Sequence, residues 1–391
     1  MDRSKWEYKK LGDIALISAG QGAPQGENNY SPEGTPFVKA GNIESLINGL
    51  SEYDIQKVND AVVKSHRLKL YKAGSVLFAK SGMSCMKGLV YTLKNDCYVV
   101  SHLAIVTPKD INSHYLNYYF QVHKPNSLIK DSAYPSISLK DIENLIILCP
   151  SQTDQQRIVA ELDCLNKMIA VKQEQLKEFD KLAQSIFYDM FGDPVSNEKG
   201  WKQCLLKDVS ETITDGDHMP PPKSDSGVPF VTISNVNKDT RQIDFSSTFF
   251  VPREYYDNIP ESKKPRIGDV LYTVTGSYGI PIIIREEKEF CFQRHIGLIR
   301  PNKEIEPLFL CMWAGCQSVK KYADRYATGV AQKTVSLKVL RNFPMIVPPL
   351  SLQQQFAEKI SAIEAQKELV KQSIAETQAL LDYSMDYYFN E

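Results

Sequence analysis

One feature constrains this chain more than any other: a seam of apolar residues with a seven-residue repeat, present twice. Ile158, Leu162, Leu165, Ile169, Lys172, Leu176, Phe179, Ala183, Ile186 and Met190 step alternately by four and three, and only Lys172 is polar. That spacing keeps one helix face turned toward a partner helix. A shift of 198 residues lands on Phe356, Ile360, Ile363, Lys367, Val370, Ile374, Thr377, Leu381, Ser384 and Tyr388 in the same register. One such stretch alone would read as a core helix. Two copies, at 153–191 and 352–389, are each far longer than the usual helix of about 11–12 residues and predict a paired coiled coil. At 1.5 Å per residue each spans about 58 Å, enough to hold two globular bodies apart.

The rest of the chain is also written twice. Trp6, Leu11, Gly12, Asp13 and Ile14 are answered 195 residues on by Trp201, Leu206, Lys207, Asp208 and Val209. Pro36-Phe37-Val38 with Asn42-Ile43 returns as Pro229-Phe230-Val231 with Asn235-Val236. Gly74-Ser75-Val76-Leu77-Phe78 returns as Gly268-Asp269-Val270-Leu271-Tyr272, each a glycine turn leading into an apolar strand. His102 and His295 hold matched positions beside apolar runs and read as satisfied histidines at the core's edge. Ser151-Gln152-Thr153-Asp154 and Ser351-Leu352-Gln353-Gln354 fit the capping-box spacing, and Gly192-Asp193-Pro194 stops the first helix. The predicted order is a globular domain (1–150), a long helix (151–192), a second domain (193–348) and a second helix (349–391). Short strands, turns and one or two helices per half give an α+β class. Closing the N-terminus onto the last helix would make the halves interchangeable, a circular pseudo-twofold repeat. The short connection at Gly192 favours antiparallel helices, with Lys172 near Ile374 and Lys367 near Phe179, each cation snorkelling past an apolar partner.

Composition narrows the class. With 42% hydrophobic and 24% charged residues over 391 positions the chain is globular with more than one core. Its apolar runs are too short to cross a bilayer, and its start shows no export signal, so a cytoplasmic location is expected. The eight cysteines form no C-x-x-C pair, so neither disulfides nor zinc are expected. A net charge of −1 argues at first sight against nucleic acid. The four segments nevertheless carry +3, −2, +2 and −4 in chain order, mildly basic domains and acidic helices, which permits nucleic-acid binding by the domains.

No P-loop, dinucleotide fingerprint, helical metal-ligand pair or nucleophile–base pair can be read, so no catalytic residue, metal site or cofactor is expected in this chain. The polar-aromatic loops are more suggestive. Residues 79–84, 133–136, 273–278 and 329–334 set donors, acceptors and a cation around tight turns, in both halves. Side chains of this kind read base edges and phosphates. Lys80, Lys87, Arg325 and Lys333 are the candidate phosphate contacts, and Asn42, Ser81, Tyr134, Thr275, Ser277 and Gln332 the candidate base contacts. Lys39, Ser84, Ser136, Ser234, Asn235, Tyr278 and Arg294 complete the candidate DNA-binding set.

This layout resembles the DNA-specificity subunits of Type I restriction–modification systems. The resemblance rests on the Trp6 and Leu11–Ile14 opening, the Pro36–Val38 and Gly268–Leu271 stretches, and the helix entries Pro150 with Gln155-Gln156-Arg157-Ile158 and Pro349 with Gln354-Gln355-Phe356. The family usually has Glu-Gln at those entries where this chain has Gln-Gln. The resemblance implies two target-recognition domains, each reading half of a split site in double-stranded DNA, with the helices as a ruler. It implies a non-catalytic, host-defence subunit without membrane association that recruits two methyltransferase subunits and two restriction/translocase subunits. S-adenosylmethionine, for adenine-N6 methylation, and ATP with magnesium would belong to those partners. Two other readings stay open: a specificity chain of a Type IIB-like enzyme without a translocase, and a coiled-coil adaptor that spaces proteins.

Overall fold

The computed structural model describes residues 3–329 and 332–390. Met1, Asp2 and Glu391 therefore lie outside the described residues, as do Val330 and Ala331 of the predicted loop 329–334. Each seam forms one continuous helix of 40 residues, Gln152–Phe191 and Leu350–Phe389. The first begins one residue before the predicted start and the second two. The chain divides into two compact units, residues 1–172 with 373–391, and residues 173–372, so each unit contains half of both helices.

Both units are built on one plan. In the first, an antiparallel sheet runs in the order Ala15–Ala19, Leu103–Pro108, Val76–Ala79, Val90–Thr92. In the second the order is Ser210–Asp215, Ile296–Pro301, Val270–Thr273, Pro281–Ile283. The glycine turns deliver fully buried strands at Val76–Ala79 and Val270–Thr273, apolar on both faces because helices or loops cover each side. A second, three-stranded sheet contains a parallel pair in each unit, Phe37 with Tyr98 and Phe230 with Cys291. The strand leading into each long helix pairs with the first strand of its unit, Ile146–Cys149 with Glu7–Lys10 and Pro344–Val347 with Lys202–Leu205. One spot shows how the shared frame tolerates different chemistry. Ser75 and Thr107 face each other at 3.3 Å in the first unit. Their counterparts in the second are Asp269 and Arg300, a buried ion pair at 2.7 and 2.9 Å.

Within each unit the helix halves lie antiparallel. In the first, Ile158, Leu162, Leu165 and Ile169 are buried together with Leu381, Tyr388 and Phe389 in the domain core. Glu161 accepts from Ser384 and Tyr388, and the Lys172 ammonium donates to the Ser373 carbonyl and to the Ser373 and Thr377 hydroxyls. In the second unit Phe356, Ile360 and Ile363 pack with Ala183, and Lys367 is paired with Asp180 at 2.7 Å and Glu364 at 3.0 Å. Burial works against the Lys367 ammonium, but the two carboxylates outweigh it and its pKa ends raised. The expected register is thus observed, while the snorkelling is not. Both lysines find polar partners in the seam, which costs less than leaving a half-buried cation unmatched.

The seam departs from its heptad in one place. Leu176, Phe179 and Ile186 are only half-buried, and the buried positions after Ala183 are Phe187 and Phe191, not Ile186 and Met190. Steps of four replace the alternation because these rings also face the domain. Phe187 stacks on Phe309 with centroids at 5.6 Å, and Phe191 meets both Phe309 and Phe356 edge-on. Val370 and Ile374 are likewise half-buried.

The helix entries also differ from expectation in one copy. Ser151 caps the first helix, its hydroxyl accepting from the Asp154 N–H at 3.2 Å. Ser351 lies inside the second helix, whose first turn is closed by the Pro349 carbonyl. The residues matched in space are Gln155 and Gln353, not Gln155 and Gln354. Gln155 is buried, accepts from the Asn112 N–H and donates to the Pro150 carbonyl. Gln353 accepts from the Glu306 N–H and donates to the Pro348 and Glu304 carbonyls. Each amide, itself buried, ties the helix entry to the loop before the domain's own core helix and satisfies a buried proline carbonyl on the way. Gln353→Leu is expected to cost about 1–3 kcal/mol, read as a lower urea midpoint, because it strands those groups. The exposed neighbour Gln354→Leu should leave the midpoint nearly unchanged.

Candidate nucleic-acid interface

In each unit four segments distant in sequence are laced side by side by main-chain hydrogen bonds. In the first, the Ser101 N–H donates to the Gln21 carbonyl (2.8 Å), Lys80 N–H to His102 (2.9 Å), and Ile137 N–H to Lys80 (2.8 Å). In the second, Arg294 donates to Asp217 (3.0 Å), Val274 to His295 (2.9 Å), and Val335 to Val274 (2.8 Å). The same ladder closes at Gly82 N–H to the Pro135 carbonyl and at Gly276 N–H to the Lys333 carbonyl. Side chains on such a platform are held by backbone, so they can differ between units without disturbing it.

Glycine makes the lacing possible. Gly20 and Gly216 leave the first sheet strand so close to the neighbouring turn that a Cβ would overlap the carbonyls of Val99 and Val100, or of Phe292. Gly82 and Gly276 adopt φ of +77° and +69°, a region that strains other residues. In sequence the segments beginning at Gln21 and Asp217 share only loop-like composition, and the need for Gly20 and Gly216 before them is not apparent. Their signal was there: a glycine followed by a polar residue, closing the first sheet strand in both halves.

The platform gathers the predicted loops 79–84 with 133–136, and 273–278 with 332–334. The side chains then sort. Ser81 pairs with Ser136 across the bridge and its hydroxyl meets His102 Nδ1 at 2.9 Å. His102 is exposed, so it is a surface group on the platform and not the core-edge histidine expected. His295 is half-buried, and burial together with the Arg294 cation pushes its imidazole below the ordinary value. Tyr134 is 81% exposed. Lys333, Arg294, Arg325 and Gln332 are exposed, and Lys80, Ser84 and Ser277 half-buried. Among the described residues no carboxylate pairs with Lys80, Arg294, Arg325 or Lys333.

Other candidates are committed elsewhere. Asn42 and Asn235 turn their side-chain oxygens onto the Lys39 and Thr232 N–H groups, both at 2.8 Å, and Asn235 is buried. They cap the turn after the Pro-Phe-Val strand, which commits both oxygens. Thr275 is buried against Thr334. Tyr278 is buried too, its hydroxyl donating to Asp324 at 2.6 Å, which pushes the phenol up to about 12. Asp324 is in turn held low by Lys320 and Tyr278. Lys87 is paired with Glu44, and Lys39 lies over the Tyr30 ring and reaches Gln56. Ser234 is exposed, bonded to the Thr232 hydroxyl. Among the described residues no group of His, Cys, Asp and Glu could hold a metal ion, and no helix is long and apolar enough to cross a membrane.

Comparison with known proteins gives this geometry a setting. A family model described as the Type I restriction modification DNA specificity domain matches twice, over residues 3–179 and 198–379. The MjaIX specificity subunit of Methanocaldococcus jannaschii is 29% identical over 185 residues, 46% of this chain and 42% of that protein, so less than half of that relative is covered. The MjaVIII specificity subunit of the same organism is 21% identical across 92% of this chain and 86% of its own length. Among solved structures, the S subunit of a Type-I restriction-modification system from M. genitalium matches with TM-score 0.55 and 12% identity, covering 99% of this chain and 96% of that one. A chain solved in work on assembly and conformational transition of the type I R-M system gives TM-score 0.60 at 18% identity, covering 97% and 96%. These likenesses concern the fold. Two DNA-specificity domains, each carrying its own laced platform, define the class. The chain belongs to the Type I restriction–modification DNA specificity family.

Proposed function

We propose that this chain is a non-catalytic DNA-reading subunit, in which each platform contacts one half of a bipartite duplex site. The observation that carries the reading is the repeated backbone ladder clothed in different side chains, Lys80, Ser81 and Tyr134 on one and Thr334, Gln332 and Lys333 on the other. Shared scaffold with divergent surface is what two readers of different sequences require. The relatives' names, specificity subunits of Type I restriction enzymes, support the same role.

The finer proposals follow the family. Two methyltransferase subunits and two restriction/translocase subunits assemble on the chain in the cytoplasm. S-adenosylmethionine, ATP and magnesium are bound by those partners. The antiparallel helices set the distance between half-sites. Methylation mapping of host DNA with and without the gene tests the proposal. A bipartite adenine motif that vanishes with the gene is the expected result, and an unchanged methylation pattern would overturn it.

The platform cations offer a second check. Lys80→Ala or Lys333→Ala should weaken all DNA sequences alike and shallow the log–log salt dependence of binding by about one unit, because each removes one phosphate contact. An unchanged slope in both would remove these lysines from the DNA face.

A further inference from the structure

The platforms differ most sharply at one place, just beyond the rung that closes each ladder. In the first unit Ser81 bridges Ser136 antiparallel and the Gly82 N–H reaches the Pro135 carbonyl, and the residues flanking this last rung are Met83 and Tyr134. In the second, Thr275 bridges Thr334 and the Gly276 N–H reaches the Lys333 carbonyl, and the residues flanking this last rung are Ser277 and Gln332. The Gln332 amide lies 3.0 Å from where a Cβ on Gly276 would stand, at the tip of the turn. One tip is therefore apolar and the other polar, on the same backbone.

The apolar tip is open. Tyr134 is 81% and Met83 76% exposed, and among the exposed large apolar side chains of the described residues only Met219, at 77%, ranks with them. Met219 also follows a platform segment, two residues after Asp217. Leaving such groups in water gains the chain nothing in folding, so their use is in what covers them. A cation that no carboxylate pairs with among the described residues flanks each tip in sequence, Lys80 on the first and Lys333 on the second, available to hold phosphate while the tip meets a groove.

We infer that the Met83–Tyr134 tip reads the 5-methyl group of thymine in the major groove of its half-site, whereas the Ser277–Gln332 tip reads hydrogen-bonding edges. This rests on the DNA-reading role proposed above. Thymine is the base that presents an apolar group in that groove, and glutamine pairs with adenine N6 and N7. A flexible thioether and a rigid ring can each pack against a methyl group.

The test uses the complex assembled on the full chain and duplexes carrying the mapped site, with each thymine replaced singly by deoxyuridine. That change removes the methyl and keeps every hydrogen bond. In one half-site at least one replacement should weaken binding about fourfold, the worth of one buried methyl-sized group. Met83→Ala or Tyr134→Ala, both at exposed positions, should bind thymine and uracil duplexes alike there, while Gln332→Ala keeps the fourfold difference. Uracil tolerated at every position by the unaltered complex, half-sites without thymine, or a methyl preference that survives both tip substitutions would overturn the inference while leaving the DNA-reading role intact. A complex that binds no duplex specifically would instead overturn the role itself, and the inference with it.

Discussion

Asp269→Ala is expected to unfold the second unit while the first keeps its structure. The carboxylate is buried, and it neutralises a guanidinium whose side chain is only 11% exposed, with bonds at 2.7 and 2.9 Å. It also accepts from the Arg266 N–H, so its loss frees three donors as well as a charge. Removing one partner of such a pair costs about 3–5 kcal/mol, a large part of a domain's stability. The first unit solves the same position with Ser75 and Thr107. The double change Asp269→Ser with Arg300→Thr should therefore cost less than Asp269→Ala alone, because no charge is stranded. Chemical denaturation followed by tryptophan emission reads both, since Trp201 and Trp313 lie in the second unit and Trp6 in the first. A double variant less stable than the single one would show that the charge is not what the site depends on.

Lengthening both helices together should widen the gap between half-sites without changing either. The seam is pinned within each unit, Lys172 to Ser373 and Thr377, Asp180 to Lys367. One heptad after Leu176 alone would break one of these registers, so a matching heptad is needed after Val370. The pair adds about 10.5 Å, or about three base pairs at 3.4 Å each. Three base pairs also turn the duplex by about a third of a turn, so binding weakens even where the new gap is read. Methylated sites with the same two halves and a longer gap are the expected outcome. An unchanged gap would mean that the helices measure nothing.

The large features of this fold were legible because they rest on periodicity and duplication. The heptad seam follows from where apolar residues recur, and the antiparallel helices and paired α+β domains follow from the short connection at Gly192 and the duplicated order of motifs. Single side chains were less legible, for physical reasons. Ile186 and Phe187 are both apolar, and the rings of Phe309 and Phe356, distant in sequence, decide that Phe187 is buried. Asn235 reads as a base contact until its own turn claims its oxygen. Tyr278 looks available until Asp324, from a helix far along the chain, takes its hydroxyl. The platform loops were found, but the lacing that joins them was not, because it runs through backbone atoms that every residue possesses. The exposure of Met83 is hidden for the same cause, since the main-chain bond from Gly82 to Pro135 sets the turn it follows.

The central claim is that each platform reads its own half-site. Its most direct measurement is the host methylome with Lys80, Ser81 and Tyr134 together replaced by alanine, set beside the methylome with Gln332 and Lys333 replaced. The first variant should relax or abolish one half of the bipartite motif while the other half persists, and the second should do the converse. Both halves changing together in either variant, or neither changing in both, would contradict it.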